Sequence, residues 1–209
     1  MEVLQYGNPE SSAVLIQPVD DHDLAIIENE IGEIRNTVNS DFEILAFKVH
    51  SWNHDLSPWE APAVFGRDGF GNGAQATLDE ILKHCGDSSK TYLIGGYSLA
   101  GLFAIWAAYQ TDVFKGVAAA SPSVWFPRFT EYMRDHSIKA NAVYLSLGDR
   151  EDKTKNPVMA SVGVRIQEAY DILNTQNIPC ALEWNPGNHF KDADVRTARA
   201  FSWIMDHRK

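Results

Sequence analysis

Short apolar runs that alternate with helix-period segments along nearly the whole chain constrain the fold more than any other feature. Ala13 to Pro18, Phe42 to Val49, Tyr92 to Gly95, Gly116 to Ala120, Val143 to Leu147 and Ala181 to Trp184 read as buried strands. Helical stretches separate them. Leu24 to Arg35 sets Leu24, Ile27, Ile31 and Ile34 on one face, and similar stretches run over Ala74 to His84, Leu99 to Tyr109, Phe129 to Arg134 and Val164 to Asn174. Val195 to Asp206 closes the chain, with Ala198, Phe201, Trp203 and Met205 among its apolar positions. Parallel neighbours need crossover connections, and helices between strands supply them. The expectation is therefore an α/β fold in one domain over residues 1–209: a doubly wound, mostly parallel sheet of about six strands, flanked by helices. No Ser/Gly tract, repeat or low-complexity run marks a linker.

The 209 residues are 44% hydrophobic, enough for one sizeable core, and no apolar run approaches the roughly 18 residues that span a bilayer. Residues Met1 to Asn8 carry neither a basic region nor a long apolar stretch, so the expectation is a cytoplasmic protein with no signal peptide. Eighteen Lys and Arg against 28 Asp and Glu give a formal charge of −10, spread along the chain. That balance argues against nucleic acid and anionic membranes as partners. Cys85 and Cys180 stand at no spacing that fits zinc or a redox pair and read as buried thiols.

In a doubly wound sheet, ligands meet the carboxyl ends of the strands. The third predicted strand ends in Gly95-Gly96-Tyr97-Ser98-Leu99-Ala100-Gly101 and runs straight into an apolar helix. This has the form of a nucleophile elbow, in which the residues two before and two after the serine must be small. Gly96 and Ala100 meet that need, although the usual pattern has Gly at the second position. A helix starting just after Ser98 aims its free amides at a developing oxyanion, which makes the Leu99 amide the first donor. A phosphate-binding loop would need a nearby lysine or a second glycine spacing, and the segment has neither.

A serine nucleophile needs a base, and this topology sets the chain order Ser, acid, His. His189, in Asn185-Pro186-Gly187-Asn188-His189-Phe190, follows the last predicted strand and precedes the closing helix. His22, His50 and His54 lie upstream of the serine, His84 and His136 in or near helices, and His207 near the end. The acid is expected after the Val143 to Leu147 strand, where Gly148-Asp149-Arg150-Glu151-Asp152 offers three. Glu151, three positions beyond Gly148, is the first choice, with Asp149 and Asp152 open. Whichever is not used serves as a surface charge or turn cap.

The second oxyanion amide is expected after the first predicted strand. Pro18 has no amide hydrogen, which leaves Val19 and then Asp20. The acids around His22 read as helix caps rather than as a metal site, with Asp23 at the cap, and no metal is expected. The loop His50 to Gly73 holds Trp52, Trp59, Phe65 and Phe70, and Ser121 to Phe126 follows another strand end. Trp59 and Trp125 are candidate walls of a substrate pocket, although aromatics in long loops more often pin the loop to the body.

Four segments carry a resemblance: Tyr92 to Phe103, Ala120-Ser121-Pro122-Ser123-Val124-Trp125, the Gly148 to Asp152 turn, and Gly187-Asn188-His189-Phe190. Together they resemble the α/β-hydrolase superfamily, and more narrowly its compact esterases related to esterase D and the enterochelin-esterase-like proteins. The resemblance implies an α/β-hydrolase fold and a serine esterase that cleaves small-molecule carboxylic esters or thioesters through an acyl-enzyme, without a cofactor. Ser98 would be the nucleophile, His189 the base and Glu151 the orienting acid. The stretch from Gly116 to Val143 leaves room for only a short helix, so no large cap domain is expected. Two other readings stay open: a non-catalytic binding module of this fold, and an acyltransferase or peptidase.

Overall fold

A computed structural model describes residues 1–64 and 66–207; Phe65, one of the loop aromatics named above, lies outside them. The described strands are β1 (Glu2–Gly7), β2 (Ala13–Val19), β3 (Glu43–Lys48), β4 (Thr91–Tyr97), β5 (Phe114–Ala120), β6 (Ala142–Gly148) and β7 (Cys180–Asn185). They form one sheet in the order β1-β3-β2-β4-β5-β6-β7. All pairings are parallel except β1 with β3, which is antiparallel from Glu2 opposite Lys48 to Gly7 opposite Glu43. Sequence periodicity finds six of these strands and misses β1. Only Val3, Leu4 and Tyr6 of that edge strand pack against the core, and its other residues are polar or glycine. A half-solvated edge has no continuous apolar run to announce it.

The helices are α1 (Asp21–Thr37), α2 (Trp52–Asp55), α3 (Ala74–Leu82), α4 (Leu99–Gln110), α5 (Phe129–Asp135), α6 (Pro157–Ala160), α7 (Val162–Thr175) and α8 (Ala193–His207). Six match the predicted helices; α2 and α6 are single turns inside loops. The start of α1 differs from the sequence reading: Asp20, not Asp23, is the cap. Its carboxylate accepts from the His22 and Asp23 amides at 2.7 and 2.9 Å, and Asp23 reaches back to the Asp20 amide at 3.2 Å.

Alternation along each strand feeds two cores. Val14, Ile16, Ile94, Val117 and Leu145 face the layer built by α3, α4 and α7, where Leu78, Phe103 and Ile166 meet them. Ala13, Leu15, Leu93, Ala118 and Tyr144 face α1 and α8, where Ile27, Ile31, Phe201 and Ile204 meet them. β2 is buried along its whole length, as a central parallel strand must be. α4 is apolar all round and buried from Leu99 to Tyr109, so the strand end that feeds it is fixed from every side. Between β5 and β6 the chain holds only α5, which leaves the carboxyl edge of the sheet without a large cap. No helix among the described residues is long and apolar enough to cross a membrane.

Candidate active site

β4 delivers Ser98 at the sheet's carboxyl edge with φ 57° and ψ −118°, a conformation that costs a non-glycine residue about 1–3 kcal/mol. The buried α4 and the end of β5 hold the turn in place: the Ser98 amide donates to Ala120 O at 3.1 Å, and Ser98 O accepts from Leu102 N at 3.1 Å and Ser123 N at 3.0 Å. Strand and helix approach so closely that a Cβ on Gly96 would lie 2.6 Å from the Ala100 methyl. Alanine at position 100 is thus compatible with the turn because position 96 has no side chain. Gly96→Ala is expected to lower stability by about 1–3 kcal/mol through overpacking. A lowered thermal midpoint in that variant is the result to look for.

Ser98 makes no side-chain capping bond to α4, so its hydroxyl is left for other partners. Ser98 Oγ lies 3.0 Å from His189 Nε2 and 3.3 Å from Ser123 Oγ. His189 Nδ1 lies 2.6 Å from Glu151 Oε2. Burial alone would raise the Glu151 carboxyl, but the His189 ring, the Ser121 hydroxyl and the Gly148 amide together hold it below its ordinary value. An ionised carboxylate only accepts, so Nδ1 is the ring nitrogen that donates to Glu151, and Nε2 is the one that faces the Ser98 hydroxyl.

The other carboxylate oxygen, Glu151 Oε1, accepts from Gly148 N and Ser121 Oγ at 2.7 Å each and from Arg196 Nη1 at 3.0 Å. The turn is built around that oxygen. A Cβ on Gly148 would lie 2.4 Å from Gly187 O and 2.9 Å from Glu151 Oε1, so only glycine lets the acid turn and the histidine loop meet.

The other two acids of the turn do different things. Asp149 accepts from the Gly187 amide at 2.8 Å and braces the histidine loop from outside. Asp152 pairs with Lys153 at 2.9 Å and lines a groove that also includes Val164, Arg165 and Trp184. Neither has a described bond to His189. The first choice among the three acids, Glu151, is the one beside the imidazole.

Leu99 is the first residue of α4, and its amide belongs to the free helix end beside Ser98. Val19 ends β2, whose described pairing with β4 runs from Ala13 opposite Thr91 to Ile16 opposite Ile94. The Asp20 amide is occupied by the α1 capping box, and the pairing of Val19 with Lys48, with Val19 O accepting from Val49 N at 3.0 Å, turns the Val19 amide toward β3, so the second donor expected from the sequence is on the side away from β4. Trp59 donates its indole N–H to Pro127 O at 3.0 Å, and its ring lies within 5.6–6.3 Å of Phe126, Phe129 and Tyr132. That is the anchoring role, loop to α5. Trp125 is 8% exposed and meets Phe70 edge-on at 5.9 Å. Burial pushes the Cys85 and Cys180 thiols up to about 12, which keeps both un-ionised at neutral pH.

Sequence reasoning misses three side chains of this site. Arg196 of α8, 2% exposed, donates through Nη1 to Tyr97 Oη, Ser121 Oγ and Glu151 Oε1, and through Nη2 to the carbonyls of Pro186 and Asn188. Tyr97 donates to His189 O at 2.7 Å, and Ser121 bridges Arg196 and Glu151. A signal was present: Arg196 lies on the same stripe as the buried Ala200 and Ile204, and an arginine on a buried stripe requires an acid.

No family model and no curated protein matches the sequence. Solved structures do match. A siderophore hydrolase, EstA from Aspergillus nidulans, superimposes with a TM-score of 0.68 at 18% identity over 94% of this chain and 83% of its own. An IroE-like serine hydrolase from Shewanella oneidensis gives 0.72 at 13% identity over 98% and 75%. Esterase PE8 gives 0.59 at 17% identity over 99% and 100%. At these identities the likeness is one of fold, and the fold of this chain is that of the α/β-hydrolases.

Proposed function

We propose that this protein is a serine hydrolase of carboxylic esters or thioesters that works through an acyl-enzyme. The observation that carries the reading is the relay Ser98 to His189 to Glu151, with contacts of 3.0 and 2.6 Å at a strained strand-to-helix turn. Ser98 Oγ attacks the ester carbonyl carbon while its proton passes to His189 Nε2. Glu151 holds the ring in the required tautomer and stabilises the imidazolium. The oxyanion forms against the Leu99 amide. His189 returns the proton to the leaving alcohol or thiol, and water activated by the same ring releases the acid.

Several features narrow the substrate. With only α5 between β5 and β6, the site suits small or protruding acyl groups better than long lipid chains. A siderophore hydrolase and an esterase are among the similar structures, which is in keeping with an ester bond as the target. Trp59 and Trp125 are candidate walls of the substrate pocket, and Trp59 also ties its loop to α5.

The test is hydrolysis of p-nitrophenyl acetate, butyrate and octanoate, with no metal added, beside Ser98→Ala. The expected result is turnover that favours the shorter chains and falls to background in the variant, with a fluorophosphonate probe labelling Ser98. Turnover retained in Ser98→Ala overturns the assignment. An unlabelled Ser98 together with no turnover favours the binding module, and competition of an alcohol or amine with water marks an acyltransferase.

A further inference from the structure

Among the described residues, Arg196 is the one buried cation that touches the candidate relay. Its Nη1 lies 3.0 Å from Glu151 Oε1, while Glu151 Oε2 lies 2.6 Å from His189 Nδ1, so a single carboxylate sits between a permanent cation and an imidazole. Its Nη2 reaches the carbonyls of Pro186 and Asn188 at 3.3 and 3.2 Å, the second belonging to the residue just before His189. Tyr97 closes the ring: its oxygen accepts from Arg196 at 3.2 Å and donates to His189 O at 2.7 Å. Burial pushes the Tyr97 phenol up to about 12, so it stays neutral across the working range.

We propose that Arg196 is a positioning residue of this site, acting through Glu151 and the histidine loop and not by contact with substrate. It has two effects. Its planar fork ties the acid turn, the end of β4 and the 186–189 loop into one register, which a point-charge ammonium cannot reproduce. Its fixed charge also offsets part of the negative field that the carboxylate puts on the imidazole and so opposes formation of the imidazolium. The groups that face this cluster are Glu151 from the turn after β6, His189 from the loop before α8 and Tyr97 from the end of β4. Asp149, Arg150 and Lys191 line the outer surface of the same loop, and Asp192 turns toward Lys191.

The inference rests on the hydrolase reading, and its test compares Arg196→Gln with Arg196→Lys. Removing the charge makes the imidazolium easier to form, so activity that needs the neutral ring begins at higher pH. Arg196→Gln is expected to lower kcat about a hundredfold with KM little changed, and to move the acid limb of the pH profile upward by about one unit. Arg196→Lys keeps the limb where it stands in the wild type while kcat recovers only in part. An acid limb that coincides in Arg196→Gln and wild type overturns the inference. Should the Gln variant fail to fold, Arg196→Lys decides alone: full wild-type kcat, or a displaced acid limb, overturns it.

A second readout needs no turnover. The low-field proton resonance of the His189 Nδ1–H, recorded against pH in Ser98→Ala and in Ser98→Ala/Arg196→Gln, is expected to shift its pH dependence upward in the double variant. An unchanged dependence overturns the role of Arg196. That outcome is independent of whether the wild type hydrolyses esters, so the two readings fail separately.

Discussion

Glu151→Gln is expected to lower kcat/KM for a short p-nitrophenyl ester by about 10³–10⁴-fold. The size follows from where the amide must point. Three donors, Gly148 N, Ser121 Oγ and Arg196 Nη1, converge on Oε1, so the glutamine oxygen is drawn to that side and its NH₂ group is left facing His189 Nδ1. A donor then meets a donor. The ring escapes by moving its proton to Nε2, where it points at Ser98 and can no longer take the serine proton. The replacement is nearly isosteric, so the loss falls on kcat. Asp149→Asn keeps an oxygen for the Gly187 amide, and Asp152→Asn breaks only a pair with Lys153, so both are expected to stay within about tenfold of wild type. Glu151→Gln retaining a tenth or more of wild-type activity contradicts the assignment of the acid.

The elements that position this site were legible because they are buried on both faces. β2, β4, β5 and β6 read as apolar runs, and Gly96, Ser98 and Ala100 announce a turn whose steric demands are local. His189 and the three-acid turn that holds Glu151 followed from the order of strands, since each stands just beyond a strand end, whereas the choice among Asp149, Glu151 and Asp152 did not. Illegible from the sequence were features whose logic is long-range or half solvated. β1 is an edge strand with polar residues along its exposed face, and α2 and α6 are single turns with no period to detect. Arg196 and Tyr97 lie 99 residues apart, and only the folded sheet brings both to the histidine loop. Glu30 falls on the Ile27, Ile31 and Ile34 face of α1, a buried place that an amphipathic reading assigns to apolar side chains.

Glu30 carries the second large expected effect, on stability. It is 3% exposed, and its described bond is from Gln17 Nε2 to Oε2 at 3.2 Å. Burial is the main cause that pushes its carboxyl up to about 8; the Gln17 bond opposes this, and Asp23 and Asp194 add to it. Glu30 Oε1 and Gln17 Oε1 both lack a partner among the described residues, an arrangement that a protonated acid completes by turning its O–H to the amide oxygen. The sign follows from linkage. Between the ordinary carboxylate range and about 8 the native state holds a proton that the unfolded chain has lost, so this group makes stability fall as pH rises through that window. Glu30→Gln is neutral at every pH and can donate to Gln17 Oε1 while accepting from Gln17 Nε2. The variant is expected to match wild type near pH 5 and to exceed it at pH 8 by about 2–3 kcal/mol, a rise in thermal midpoint of about 4–12 °C. Urea or thermal unfolding at both pH values checks it; a variant that gains nothing at pH 8 shows that the wild-type carboxyl is not held protonated. Glu151 has the opposite sign: its carboxyl is lowered, so its contribution is present above the ordinary carboxylate range and is lost as pH falls through its depressed value. The contrast comes from their donors. Glu151 has a ring, a hydroxyl, an amide and a guanidinium to stabilise its charge, whereas Glu30 has one side-chain amide, so one buried carboxyl is held as an anion and the other as an acid.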